Sequence, residues 1–236
     1  RKMTVDYTRV MECEKLLTST SKMPCDSISI DAKLCRTGSK LAKSEWTPCY
    51  DCYALAGNYL FPSVKNKQQR VLDFMNSDDF VEVMVCLIET RTYFRWFDSG
   101  DIQSIKMAND ILDICERTPH CQHWLPSKEY KDWRQVLKKR KLPNNLCLRL
   151  SSPLANIPPQ QDFTHTSTTY TDEKFVYGFM CPAHIHKEKY GVYSCRNCRA
   201  CWDSNVPNIS YIHRNKKKKR SKPNAKVKYC NVAINI

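Results

Sequence analysis

Four cysteines near the end of the chain have the types and spacing that bind metal. Cys195, Cys198 and Cys201 recur every three residues in CRNCRAC, and Cys181 lies upstream in front of a proline. Three thiols at this spacing, completed by a remote Cys-Pro, resemble the ligand set of ferredoxin-type [4Fe–4S] clusters. Tetrahedral zinc also binds C-x2-C pairs and is the alternative cofactor. The pattern therefore predicts an iron–sulfur centre on these four thiols.

A second C-x2-C pair lies far upstream, where Cys49 and Cys52 occur in PCYDC. We predict that this pair also binds metal, and a redox dithiol is the alternative. The pair could join the first centre or form one of its own. The remaining cysteines are predicted to be small buried hydrophobic residues: Cys13, Cys25, Cys35, Cys86, Cys115, Cys121, Cys147 and Cys230.

Composition favours a reducing compartment. A chain of 236 residues with fourteen cysteines is too long to need a disulfide framework, and clustered thiols suit metal ligation better. No signal peptide and no apolar run of bilayer length is visible. We therefore expect a cytoplasmic protein without a membrane partner.

The net charge of +14 is concentrated at one end of the sequence. Nine basic residues and no acid lie between Arg214 and Lys228, and without them the net charge falls to about +5. This tail, residues 214–236, could bind nucleic acid through phosphates, or it could be a solvated disordered segment. We predict one domain over residues 1–213, in which residues 1–24 are an N-terminal extension.

The elements that must position the thiols form a repeat. Predicted strands begin near Tyr93, His120 and Leu146, which are 27 and 26 residues apart, and amphipathic helices lie between them. This spacing is typical of β–loop–α units that build a parallel sheet, here either open or curled into a partial, irregular TIM-like barrel. Further strands are predicted at Ile28–Leu34, Phe175–Met180 and Ile209–His213.

Polar residues follow these strands, where parallel βα proteins place their functional groups. Asp98, Ser99, Asp101 and Lys128 are candidate catalytic residues, and capping or surface roles are the alternative. Candidate cofactor-binding or substrate-binding residues are Arg95, Arg149 and Ser151. The chain has only five glycines and no dinucleotide or P-loop motif, which argues against a Gly-rich phosphate loop.

Several segments resemble the gene product 88 family of tailed phages. They are GSKLAKSEWTPCYDCYA (38–54), FRWFDSGD (94–101), HWLPSKEY (123–130), RLSS (149–152), CPA (181–183) and CRNCRACW (195–202). The resemblance implies a phage protein, expressed in an infected bacterium, with an iron–sulfur type of cysteine set. It implies no defined reaction.

A more distant resemblance is to radical S-adenosylmethionine enzymes, which carry a cluster after the first strand of a partial barrel. Their usual C-x3-C-x2-C motif is absent, because Cys49 and Cys52 supply two thiols and the triplet lies near the other end. S-adenosylmethionine as a cofactor is implied by this resemblance alone.

Three functions remain open from the sequence. The first is an iron–sulfur enzyme that acts on a nucleotide, a nucleic acid or a small metabolite. The second is a nucleic-acid-binding protein stabilised by zinc or by an iron–sulfur cluster. The third is an electron-transfer protein.

Overall fold

A computed structural model describes residues 6–20 and 22–213, and its centre is one eight-stranded sheet. The strand order is β1-β2-β3-β4-β5-β6-β8-β7, with β1 antiparallel to β2 and every other pair parallel. The strands are β1 (Thr18–Ser19), β2 (Asp26–Ile28), β3 (Tyr93–Trp96), β4 (Gln122–Ser127), β5 (Leu146–Ser151), β6 (Thr166–Tyr170), β7 (Phe179–Met180) and β8 (Asn208–Ile212).

The helices are amphipathic segments that connect these strands. The four longer ones between β2 and β5 bury an apolar face each; in the helix that follows β3, this face comprises Met107, Ala108, Ile111, Leu112, Ile114 and Cys115. The helices are α1 (Tyr7–Glu14), α2 (Arg36–Leu41), α3 (Pro62–Met75), α4 (Phe80–Ile88), α5 (Ile105–Arg117), α6 (Tyr130–Leu137) and α7 (Ala183–Tyr190).

The order of the strands places α4, α5 and α6 on one face of the sheet. From β2 to β6 each strand pairs with the next along the chain, so right-handed crossovers carry the intervening helices to the same side. In agreement, α4 packs against α5 and α5 against α6. Residues that alternate along β3 and β5, such as Phe94, Trp96 and Leu148, point into this helix-covered core.

The other face of the sheet is covered by the end of the chain. Tyr93, Trp124 and Ile209 project from β3, β4 and β8 toward a second apolar cluster that contains Trp202 and several cysteines. The described residues thus form two cores, one under the helices and one under the segment that carries Cys195, Cys198 and Cys201.

The α/β class and the parallel sheet are confirmed. The predicted strands at Tyr93, His120 and Leu146 are β3, β4 and β5, although β4 starts at Gln122. In the described residues β1 and β7 are the two ends of the sheet and do not pair with each other. The sheet is therefore open in that part of the chain, and a barrel remains a prediction.

One predicted strand was displaced, one was too long and one strand was missed. The strand predicted over Ile28–Leu34 shares only Ile28 with β2, and its last three residues form a short 3-10 helix over Ala32–Leu34 that Asp31 caps. The strand predicted over Phe175–Met180 is reduced to β7, and a 3-10 helix ends at Phe175. The sequence TSTTY of β6 was missed, because its threonines and serine give no hydrophobic signal.

Predictions were also made for the two ends of the chain and for the scattered cysteines. The N-terminal region contributes α1, which packs on α4, and β1 at the edge of the sheet. Cys86, predicted to be buried, is exposed, because it lies on the outer side of α4. The basic tail and Cys230 lie outside the described residues, so their predicted roles are untested.

His123 on β4 gives the helix-covered core a pH-dependent stability. Its buried ring accepts from Trp96 Nε1 at 3.3 Å and lies 2.9 Å from Thr118 Oγ1, and burial lowers its pKa from 6.5 to about 3, with a smaller contribution from His120. Between these pH values only the unfolded chain binds the proton, so stability falls as pH falls. We expect a loss of about 3 kcal/mol from this group between pH 6.5 and 4.

Urea denaturation at a series of pH values would test this prediction. In His123→Gln the free energy of unfolding should fall less between pH 6.5 and 4 than in the wild type, whatever the effect of the substitution at neutral pH. His165→Gln, at a half-buried loop position, is the matched control and should show the same fall as the wild type. An unchanged slope in His123→Gln would contradict the prediction.

Candidate functional site

One pocket is lined by Cys181, Cys195, Cys198 and Cys201, and it lies on the face of the sheet opposite the helix-covered core. Cys181 follows β7 and is fixed to β8 because its backbone N–H donates to Ser210 O at 2.9 Å. Cys195 is held by a backbone bond to Lys22 O at 2.8 Å, and Cys198 N donates to Cys195 O at 2.8 Å. A 3-10 helix over Ala200–Trp202 carries the fourth thiol. Segments from both ends of the chain thus position these thiols.

The walls of this pocket are mostly apolar. Phe179, Ala183, Trp202 and Ile209 line it beside the thiols. Trp202 is anchored because its Nε1 donates to Phe94 O at 2.9 Å. Such a wall limits solvent access, and the solvent exposure of a metal site influences its redox potential.

Burial keeps the thiols of Cys181, Cys195 and Cys201 protonated near neutral pH. It raises the pKa of Cys201 to about 12 and raises the pKa values of Cys181 and Cys195. Cys201 Sγ also lies 3.2 Å from Tyr211 Oη. A bound metal would displace the protons, because thiolates are the ligating form.

The cysteines are free, and they do not converge on a point. Every cysteine in the described residues is reduced. In the same part of the chain, no group of three or more His, Cys, Asp or Glu side chains forms a ready site for one metal ion. Metal binding by Cys181, Cys195, Cys198 and Cys201 therefore stays a prediction.

Arg149 holds the C-terminal cysteine segment onto the sheet. It is fully buried, and its guanidinium donates to five carbonyl oxygens at 2.8–3.4 Å. Four of these carbonyls belong to the segment: Ala200, Cys201, Asp203 and Val206. All its donors are occupied, so this geometry favours a positioning role over binding of a separate ligand.

No carboxylate in the described residues pairs with the Arg149 charge. Buried cations are normally paired with anions. The Arg149 charge favours the thiolate of Cys201, whose pKa it lowers against the larger effect of burial. The site has an excess of positive charge next to the four thiols.

Arg95 lies between this pocket and the carboxyl end of β3. Its guanidinium pairs with Asp98 at 2.6 Å and lies 4.6 Å from the ring centroid of Trp124. Its charge also lowers the pKa of Cys195 against the effect of burial. Arg95 Nε and Trp124 Nε1 are buried and have no hydrogen-bond partner in the described residues. These two donors remain available to a ligand on this face.

Asp98 and Ser99 follow β3, as predicted, at the carboxyl edge of the sheet. The second carboxylate oxygen of Asp98 accepts from Tyr59 Oη, while Tyr53 Oη donates to the Asp98 carbonyl. Ser99 Oγ donates to Ile30 O at 2.7 Å and accepts from Gln68 Nε2 at 2.9 Å. Ser99 is thus held in the loop network, whereas Asp98 is oriented by a cation and a phenol.

Asp101 connects the loops after β3 and β4. Its carboxylate accepts from Ile102 N, Ser127 Oγ and Lys128 N at 2.7–2.8 Å. Burial nevertheless raises its pKa from 3.8 to about 7, a value suited to proton transfer at neutral pH. At the next strand, Ser151 Oγ accepts from Ser167 Oγ at 2.9 Å.

Cys49 and Cys52 lie at this polar edge and form a thiol group distinct from the four-cysteine pocket. Burial raises the pKa of Cys49, and the Lys128 charge opposes this effect. Cys35 belongs to the same group, because a Cβ atom on Gly38 would lie 3.6 Å from Cys49 Sγ and 3.8 Å from Cys35 Sγ; this was not predicted from the sequence. Its only sequence signal is its position after the first parallel strand, on the way to Cys49.

The fold and these sites define an α/β protein with a mostly parallel open sheet, one cysteine group on the face opposite the helix-covered core and another at its carboxyl edge. The chain belongs to the gene product 88 family, whose model matches residues 6–204. This match confirms the resemblance to the phage family.

No curated protein and no solved structure matches the chain significantly. The likeness to radical S-adenosylmethionine enzymes therefore remains a prediction. No helix among the described residues has the length and apolarity needed to cross a membrane.

Proposed function

We propose that this protein is an iron–sulfur protein in which Cys181, Cys195, Cys198 and Cys201 bind a [4Fe–4S] cluster. The observation that carries the proposal is a pocket lined by four thiols next to Arg149, a buried cation that has no carboxylate partner in the described residues. An anionic thiolate-bound centre would complement this charge. Such a cluster supplies one-electron chemistry when bound.

The spacing of the thiols along the chain favours a [4Fe–4S] cluster over zinc. Three thiols in C-x2-C-x2-C with a remote Cys-Pro resemble the ligand set of such a cluster, whereas zinc is usually bound by separate C-x2-C pairs. All four of these thiols line one pocket.

We propose further that the protein is an enzyme whose substrate, a nucleotide or another small metabolite, binds at the carboxyl edge. Asp101 has a pKa near 7 for proton transfer, Asp98 is oriented by Arg95 and Tyr59, and Lys128 supplies a cation. Ser152 Oγ, buried after β5, has no partner in the described residues. These groups support binding and orientation of a polar substrate.

An electron carrier is the second candidate. If all four irons are bound by Cys181, Cys195, Cys198 and Cys201, no iron is left for a substrate, which is the usual state of an electron-transfer cluster. The crowded carboxyl edge is the reason to prefer an enzyme.

Anaerobic purification followed by iron, acid-labile sulfide and zinc analysis tests the cluster. We expect iron and sulfide in equal amounts, and a rhombic electron paramagnetic resonance signal after reduction. The double variant Cys195→Ala/Cys198→Ala should lose this signal, while the exposed-thiol control Cys86→Ala should keep it. Stoichiometric zinc without sulfide in the wild type would refute the proposal.

The substrate site requires a separate experiment. Thermal shift in a panel of nucleotides and anionic metabolites should find a compound that stabilises the wild type and Lys174→Ala, an exposed control. The same compound should give little or no shift in Lys128→Ala. Equal shifts in both variants would remove Lys128 from the site, and no effective compound together with reversible cluster reduction would favour the electron carrier.

A further inference from the structure

Helix α7 and the loop after it carry basic and aromatic side chains, which together we call the α7 surface. Residues 183–199 contain four lysines and arginines and a single acid, Glu188. Three of the four cations are exposed, and Arg199 is half-buried. The members of the surface are Lys187, Lys189, Tyr190, Tyr193, Arg196 and Arg199. The surface therefore has a net positive charge.

Ion pairs do not neutralise the cations of the α7 surface. Among the described residues, no carboxylate pairs with any of the four. Seven arginines elsewhere in that part of the chain do pair with Asp or Glu: Arg9, Arg36, Arg91, Arg95, Arg117, Arg134 and Arg140. The α7 surface thus offers its positive charge to an anionic partner.

Arg196 stacks on Tyr190, with its guanidinium carbon 3.6 Å from the ring centroid. Gly191 ends α7 at φ +74°, and Arg196 itself has φ +44°, a conformation that residues with a side chain seldom adopt. Arg196 N donates to Ser194 Oγ at 3.1 Å, and His186 Nδ1 lies 2.6 Å from Ser194 O, so the loop is tied to α7. Tyr190 is still 43% exposed, which leaves ring surface for another planar group.

Cations lie next to two further rings of this region. Lys187 Nζ is 5.7 Å from the ring centroid of Tyr193, and Arg199 Cζ is 5.3 Å from that of Tyr93 on β3. This combination suits single-stranded nucleic acid, whose bases stack on aromatic rings while its phosphates bind cations. The bases of a duplex already stack on one another, and a lipid surface requires a continuous apolar face. The sequence AHIHKEKY of α7 has no such face.

The most basic stretch of the sequence begins next to this surface. The last described residue, His213, donates its N–H to Tyr170 O at 2.7 Å, and Tyr170 Oη lies 3.4 Å from His184 Nε2 on α7. The sequence after His213 has nine basic residues and no acid between Arg214 and Lys228. This charge has the same sign as that of the α7 surface, so both favour a polyanionic partner.

We propose that the α7 surface binds single-stranded nucleic acid, with a base stacked on Tyr190 and phosphates held by the four cations. DNA and RNA strands share the chemistry that this surface recognises. The inference goes beyond the proposed function, because it uses neither the thiols nor the groups at the carboxyl edge. It can therefore hold or fail independently of the cluster and of the substrate site.

Fluorescence anisotropy with a labelled single strand of about 12 nucleotides, as DNA and as RNA, tests the stacked base. Tyr190→Ala should weaken binding roughly tenfold through the loss of one base–aromatic stack, whereas Tyr190→Phe keeps the ring and should keep the affinity. Tyr7→Ala, at an exposed tyrosine on α1, is the matched control and should bind like the wild type. Equal affinities of Tyr190→Ala and the wild type would refute the proposal, and so would a wild type that binds neither strand.

The salt dependence of the same binding tests the cations. Lys189→Gln/Arg196→Gln removes two charges and should reduce the slope of log Kd against log salt concentration by about 1.4. The control Lys174→Gln/Arg134→Gln removes the same residue types, each next to an aromatic ring but paired with a carboxylate, and should keep the wild-type slope. The same slope in both double variants would show that the α7 surface does not contact phosphates.

Photocrosslinking in the full chain separates this surface from the basic tail. A single strand that contains iodouracil should crosslink to the peptide that includes Tyr190. Crosslinks confined to residues after His213 would assign the binding to the tail and overturn the proposal. Vesicles of anionic phospholipid test the remaining partner. Vesicle binding that Tyr190→Ala weakens, without binding of either single strand, would make the α7 surface a membrane site instead.

Discussion

Replacement of Arg149 by methionine is expected to lower the free energy of unfolding by about 5 kcal/mol and to abolish iron binding at the proposed four-cysteine site. Five carbonyls would lose their donor, three of them in buried bonds, and each buried group left unsatisfied costs about 1–3 kcal/mol before relaxation. Four of the five carbonyls lie in residues 200–206, so this segment would detach first.

Two further variants test this prediction: Arg149→Lys conserves the charge, and Arg134→Met is the control at an exposed arginine. Lysine keeps the charge but offers three donors for five carbonyls, so we expect an intermediate loss. Arg134 makes an exposed pair with Asp162, and its replacement should change stability by no more than about 0.5 kcal/mol. Urea denaturation and iron analysis measure both effects. Wild-type stability and iron content in Arg149→Met would show that the segment is held by other contacts.

Gly100→Ala is expected to cost about 3–5 kcal/mol. Gly100 has φ +88°, and a Cβ there would lie 2.2 Å from Ile30 Cγ1 and 3.0 Å from Ile30 O. Ile30 is fully buried and is bonded to Ser99 through both its N–H and its carbonyl, so it cannot move aside easily. The substitution combines backbone strain with a clash against backbone and a buried side chain.

Gly191→Ala is the control that measures backbone strain without a steric clash. Gly191 has φ +74° after α7, and a Cβ there meets nothing within 4 Å. We expect a loss of about 1–2 kcal/mol from strain alone. Thermal and urea denaturation of both variants should show the larger loss in Gly100→Ala. Equal losses of stability in the two variants would mean that the loop after β3 rearranges to accommodate the added methyl group.

The repeat of strands and helices was predictable because its signals are local. Hydrophobic periodicity identified the buried face of α4, and spacing identified β3, β4 and β5 as neighbours. The polar strand β6 was not predictable in this way. Its residues are buried because hydrogen bonds such as Thr168 Oγ1 to Ser210 Oγ at 2.9 Å satisfy them between β6 and β8.

The candidate sites divide in the same manner. The spacing of Cys195, Cys198 and Cys201 lies within one loop, so it could be interpreted without knowing the fold. The role of Arg149 could not, because its partners are backbone atoms more than fifty residues away. The prediction of Cys35 as an ordinary buried residue likewise overlooked a contact between two short helices.

The sequence by itself therefore determined the class of the fold, the family, and the one thiol pair and one thiol triplet whose spacing predicts metal binding. Only the tertiary structure decided that the thiols separate into a group on the sheet face and a group at its carboxyl edge, with Arg95 between them. The physical reason is that strand register and buried long-range hydrogen bonds fix these distances, and neither is encoded in local spacing.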